Sequence, residues 1–184
     1  MRVSREEKDQ SYARIVASAA RLLRENGLEG SSVADIMQDA GLTHGGFYRH
    51  FDSKDALVAA ATARAFDQIL PFLERAQAQG KPAEIVRDIE DYYLSADHLR
   101  HPGKGCPIAA LGSDFARASA SVKKGVADGA KRMIAVLARG LRGDETRKRE
   151  AAIRQLALML GAVTLARACG PDISDEVLDA CRSR

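Results

Sequence analysis

Apolar residues recur at three- and four-residue intervals along nearly the whole chain, and no stretch alternates as a half-buried strand would. The pattern predicts an all-α fold. Over residues 5–26, Ile15, Ala19, Leu22 and Leu23 share one face, and Gly27 follows as a C-terminal stop. Ser31-Ser32 then caps a short helix whose inward side is Val33, Ile36 and Met37 and which stops at Gly41. A third helix is expected over about 44–50, behind Thr43. Ser53 caps a long fourth helix reaching about Gln79, roughly 39 Å at 1.5 Å per residue, and Pro71 inside it predicts a kink or break.

Gly80-Lys81-Pro82 marks a restart, with Pro82 in the first turn of a helix that turns Ile85, Val86, Ile89 and one or both of Tyr92 and Tyr93 inward. His101 to Gly105 read as a loop, and a sixth helix runs from Cys106-Pro107 to near Arg117. Val122, Val126, Ala130, Met133, Ile134, Leu137 and Leu141 line one face of a helix over about 120–141. Gly143-Asp144 opens a helix over about 145–169, Gly170-Pro171 ends it, and Ser174 caps a short last one. The run Leu156 to Ala166 is apolar on every side, which predicts burial all round, against a second copy or as an internal core helix. There is no repeat and no low-complexity linker. The boundary between an N-terminal unit, 1–53, and the remainder, 54–184, therefore falls at the long helix and not in a tether.

Residues 32–54, SVADIMQDAGLTHGGFYRHFDSK, have the layout of a helix-turn-helix: short helix, tight turn, second short helix, cap of a third. The segment from Thr43 to His50 starts with small and polar groups and ends with aromatic anchors. Two glycines inside it cost roughly 1.5–2 kcal/mol against alanine, which close backbone approach to a groove or to the preceding helix would justify. Gly27, the Ser31-Ser32 cap, Ile36, Ala40-Gly41, Gly46 with Phe47-Tyr48, Phe51, and Lys54 followed by Leu57 resemble the TetR/AcrR family of one-component repressors, over about residues 8–57. The resemblance implies an N-terminal helix-turn-helix domain joined through the long fourth helix to a helical ligand-binding and dimerisation domain. It also implies phosphate contacts from Tyr48 and Lys54. Helix geometry adds Thr43, His44 and Gly45 at the reading end, with Ser32 and Arg49 as further candidates. His44 and Arg49 are the base-reading candidates, His50 a structural or backbone-contacting histidine, and Phe47 and Phe51 core.

Bulk properties alter this picture little. The net charge is +3, and the first 54 residues hold eight basic groups against eight acids, so DNA affinity must come from placement rather than bulk charge. With 46% apolar residues, 5% aromatic and no Trp, the core is aliphatic and alanine-rich. A charged N-terminus, an apolar run at 156–166 too short to span a bilayer, and three widely spaced cysteines predict a cytoplasmic protein without a disulfide framework.

The expected function is a homodimeric, sequence-specific DNA-binding regulator, a repressor, on a near-palindromic operator. The last two long helices would pair between subunits, over about 145–184. A pocket for a small apolar or electrophilic inducer is expected among Phe66, Phe72, Tyr92, Tyr93, Phe115 and Met133, which equally suit ordinary core. Cys106 is the sharper sensing candidate. It starts a helix behind a glycine-rich loop, where free amides, the helix dipole, Lys104 and His101 would favour a thiolate. The Gly-Cys at the start of the sixth helix resembles the branch of the family that senses reactive electrophiles. No catalytic set, cofactor or metal site is expected, since His98, His101 and Cys106 are irregularly spaced and no fourth ligand is evident. The competing readings are a thiol-dependent redox enzyme centred on Cys106, and a helical interaction module without DNA binding.

Overall fold

The computed structural model describes residues 4–79 and 81–182. Among these the fold is all-α, with no strand: α1 (Arg5–Asn26), α2 (Val33–Asp39), a 3-10 helix (His44–Arg49), α3 (Lys54–Gln79), α4 (Pro82–Tyr93), α5 (Ala96–Arg100), a 3-10 turn (Pro102–Lys104), α6 (Pro107–Arg117), α7 (Ala120–Arg139), α8 (Glu145–Cys169) and α9 (Ser174–Ala180). Gly80, assigned to the break before α4, lies outside the described residues.

Local chemistry sets most boundaries. Ser32 caps α2 in a reciprocal box with Asp35, and Asp144 caps α8 by accepting from the Arg147 N–H. The Ser53 hydroxyl accepts from the Ala56 N–H. Gly41 takes φ +69°, the left-handed conformation that the turn between α2 and the 3-10 helix requires. Several expectations need correction. Thr43 makes no side-chain cap, and residues 44–49 form a 3-10 rather than an α-helix. Ile173, not Ser174, occupies the cap of α9. The short α5 has no counterpart in the sequence reading. Helix α3 runs through Pro71 without interruption. Pro71 is exposed, so water can take the carbonyl bond its ring removes, while buried Ile69, Leu70 and Leu73 hold the axis.

The core has two clusters. One joins α3 and α4 to α7, α8 and α9 through Phe66, Ile69, Leu73, Ile89, Tyr93, Met133, Met159 and Val163. The other joins α1, α2 and the 3-10 helix to the first half of α3, and it takes in Leu111 and Phe115 of α6 and Val122 of α7. The N-terminal unit therefore completes its core with side chains from the rest of the chain. Two helices, α3 over Lys54–Arg75 and α8, are long and apolar enough to cross a membrane by composition, although the 156–166 run alone suggested otherwise; half and one third of their apolar windows are buried inside the fold.

Candidate nucleic-acid interface

The 3-10 helix is held from behind and open in front. Phe47 (2% exposed) and Phe51 (5%) plug the core between α1 and α2, their rings 5.8 Å apart, and Tyr12 of α1 stacks on Phe51 at 5.1 Å. This clamp leaves Thr43, His44, Gly45 and Arg49 exposed, and Tyr48 projects outward, 72% exposed, edge-on to Phe47. Backbone bonds from Gly46 N–H to Thr43 O and from His50 N–H to Phe47 O tighten the segment. A Cβ added at Gly45 would meet nothing within 4 Å, and one at Gly46 would make only ordinary contact with Met37. Neither glycine has positive φ, so no contact within the chain demands them.

The remaining predicted contacts are more engaged. Ser32 is exposed, but its hydroxyl donates to Asp35 Oδ2 at 2.6 Å. Lys54 is half-buried and donates to Leu28 O at 2.7 Å, so its ammonium would have to exchange that bond to reach a phosphate. His50, expected as a structural or backbone-contacting histidine, has a buried Nδ1 without a partner among the described residues. Burial, then Lys8 and Arg49, hold its pKa below the ordinary value.

The family model described as "Bacterial regulatory proteins, tetR family" matches residues 15–61, the span that carries this clamp and the exposed segment. Over that span the chain is similar to the TetR family. Proteins of this family are transcriptional regulators and not enzymes, which speaks against the reading of a thiol-dependent redox enzyme. The uncharacterized HTH-type transcriptional regulator Rv0196 of Mycobacterium tuberculosis is 28% identical over 127 residues, 68% of this chain; the match spans 59% of that relative's length. A TetR transcriptional regulator from Chloroflexus aurantiacus is 26% identical with a TM-score of 0.79, covering 96% of this chain and 92% of that one. The reduced form of E. coli NemR superposes with a TM-score of 0.76 at 20% identity, covering 94% and 95%. The fold of these structures therefore extends over nearly the whole chain, well beyond the matched quarter.

The residues expected to line a sensing site separate. Phe66, Tyr93, Met133 and Cys106 are buried in the core around α3, α4, α7 and α8, with Phe72 stacked on Tyr92 at 3.8 Å beside them. Phe115 does not join them; it packs in the cluster shared with the N-terminal unit. Cys106 is fully buried rather than presented at an open helix start. Burial pushes its thiol pKa up, against the pull of Tyr93 and Arg24. The Cys106 N–H donates to His98 Nε2 at 3.0 Å, and His98 Nδ1 lies 2.6 Å from Tyr93 O, which fixes a neutral imidazole with the proton on Nδ1. Burial brings the His98 pKa down to about 4. Gly105 must be glycine, because a Cβ there would sit 2.3 Å from the His98 ring.

Two contacts that periodicity gave no reason to single out tie α6 to the reading unit. Arg24 of α1, 3% exposed, donates to Gly105 O at 2.7 Å and to Gln68 Oε1 at 2.5 Å. Among the described residues no carboxylate bonds it, and burial lowers its pKa to about 10. At the other end of α6, Asp114 accepts from the Leu28 N–H at 3.2 Å. The turn between α1 and α2 is thus held by Asp114 on its amide and Lys54 on its carbonyl.

Proposed function

We propose that the chain is a homodimeric, sequence-specific transcriptional repressor of the cytoplasm that leaves a near-palindromic operator when a small apolar or electrophilic molecule acts on its larger helical part. The observation that carries this reading is the exposed Thr43-His44-Gly45 edge with Tyr48 and Arg49, set on a buried aromatic clamp. Rigid support behind small and polar groups is what a major-groove reader needs. Glycines with no internal reason to be glycine suit close approach of backbone to DNA. Residues 1–53 serve as the reader and 54–184 as the regulatory and dimerising part.

A second copy would cover α8. Ile153, Leu158 and Leu165 are 44%, 44% and 49% exposed, and Gly161 faces open space on the same side, where another helix could approach closely. Two readers related by a twofold axis would then address half-sites a whole number of helical turns apart.

Signal transfer would run through α6, gripped by Arg24 at its start and Asp114 near its end. A ligand that wedges the core around Phe66, Tyr92, Tyr93 and Met133 would shift α6 and, with it, the Leu28 turn that leads into α2. An adduct on Cys106, at the start of α6, would act at the same place, but only after α6 opens, because the thiol is buried and held protonated. Fluorescence anisotropy on selected DNA, with and without a mild thiol oxidant and beside Cys106→Ser, tests both. Release of the wild type alone by oxidant supports the thiol trigger. Equal behaviour of the two proteins assigns the signal to a non-covalent ligand, and failure to bind any selected DNA sinks the repressor reading.

A further inference from the structure

A groove of about 400 Å³ runs along the seam where α1 and α3 meet the Pro102–Lys104 turn. Ala17, Ser18 and Arg21 line it from α1, Gln68 from α3, and Gly103 and Lys104 from the turn. Gly103 keeps the seam tight, since a Cβ there would sit 2.3 Å from Glu25 Oε1 and 2.9 Å from Arg21 Cγ. The buried guanidinium of Arg24 is bonded to Gln68, and so lies one side chain away from this groove. The partners of Arg24 are all neutral: the carbonyls of Ala20 and Gly105 and the Gln68 amide oxygen. Glu25, its neighbour in the chain, is engaged with Arg21, which also pairs with Asp39. Arg167, beside Gly105, likewise bonds only carbonyls, those of His98, Leu99 and Ala109. Two enclosed positive charges therefore meet around Gly105 with no bonded carboxylate among the described residues. Charge withdrawn from water without a counter-charge is costly.

We infer that this groove is an effector site for a small organic monocarboxylate, whose carboxylate takes the place of the Gln68 amide on Arg24 and meets the Lys104 ammonium at the rim. A guanidinium fork matches a carboxylate with two parallel bonds, which one amide oxygen cannot supply. Lys104 is exposed and, among the described residues, in no ion pair. Arg21 is already neutralised by Glu25 and Asp39, so its wall offers a methylene stem rather than charge. Those two carboxylates also disfavour a ligand with several negative charges. The volume leaves room for a ring or a branched tail behind the carboxylate. The site is separate from the core around Phe66 and Met133. Because Arg24 also holds the Gly105 carbonyl, an anion that draws it towards Gln68 loosens the start of α6. Binding stands apart from the repressor reading; only this effect on the reader rests on it.

The test titrates benzoate, and benzamide as its uncharged counterpart, into the full-length protein by calorimetry in chloride buffer at neutral pH, with melting measured alongside. Benzoate should bind and raise the melting temperature, and benzamide should do neither. Lys104→Gln, at an exposed position, should fold as the wild type does and bind benzoate about tenfold more weakly, as loss of a charge-assisted bond implies. Gln68→Glu supplies Arg24 with a carboxylate from within the chain. This variant should melt about 2–4 °C higher and no longer respond to benzoate. Benzoate binding that both variants leave unchanged lies elsewhere and overturns the site, as does equal binding of benzamide. A further arm uses inorganic phosphate. If phosphate binds in a manner that needs Lys104 while benzoate does not bind, the groove holds phosphate and the carboxylate assignment is wrong. If the wild type binds neither anion and Gln68→Glu melts no higher, Arg24 needs no counter-charge and the inference falls. No titration here uses DNA, so failure of this site and failure of the repressor reading are told apart.

Discussion

His98 and Gly105 depend on each other. The imidazole accepts from the Cys106 amide just before α6 and donates to the Tyr93 carbonyl, and its ring occupies the space a side chain at 105 would need. The Gly-Cys pair that looked like a redox signature is, in this fold, first a packing requirement. Gly105→Ala should therefore destabilise by about 1–3 kcal/mol through overpacking, measured by urea unfolding; a change below 0.5 kcal/mol (about the size expected of a neutral surface change) would show that the ring can move away. His98 also sets a pH dependence. Its pKa falls from the ordinary 6.5 to about 4 in the fold, so the unfolded chain takes up the proton first. Stability should be level above about pH 7 and decline as pH falls from 6.5 towards 4, by on the order of 3 kcal/mol. His98→Gln should flatten that decline, and an equal acid slope in both proteins would remove His98 as its source. On the reading face, His44→Ala should cost about 1–3 kcal/mol on the preferred sequence and relax discrimination at one position. A uniform loss over all sequences would make His44 a backbone contact instead.

The elements show which features a sequence discloses. Ser32, Asp144 and Gly41 were legible because a cap or a left-handed turn is decided within three or four residues. The 3-10 form of residues 44–49, the missing Thr43 cap and the uninterrupted α3 at Pro71 were not, because packing behind Phe47 and around Leu70 outweighs local preference. Phe115 shows a further limit: it was expected in a pocket or in ordinary core, and nothing in the sequence says which of two cores it meets. Nothing in the spacing singles out Arg24, and only the crossing of α1 with the loop before α6 reveals it as a buried strut. The grip on α6 has a direct test. Asp114→Ala removes the acceptor for the Leu28 amide. Hydrogen exchange should speed up at Leu28 and also in the first turn of α2, while melting changes by no more than about 1–2 kcal/mol. Faster exchange at Leu28 alone would show that the grip does not reach the reader.

At the scale of the whole molecule, the shared core argues against a reader that moves as a free module. Leu111, Phe115 and Val122 belong to its packing, so a change in α6 is felt there without a tether. The same scale explains α8. Its 156–166 run looked apolar all round, yet in one chain only Leu156, Met159, Ala162, Val163 and Ala166 of that run are buried, leaving an exposed stripe that suits the proposed second copy. Placing glutamates at Leu158 and Leu165 should give monomers by sedimentation velocity and weaken DNA binding by at least tenfold, because each half-site would be held alone. The most direct test of the account is selection of bound duplexes from a random-sequence library by the full-length protein, followed by sequencing. The expected result is an enriched near-palindrome whose half-sites lie a whole number of helical turns apart, lost when His44 and Arg49 are both replaced by alanine. Enrichment of no sequence, or of one indifferent to that double replacement, would contradict it.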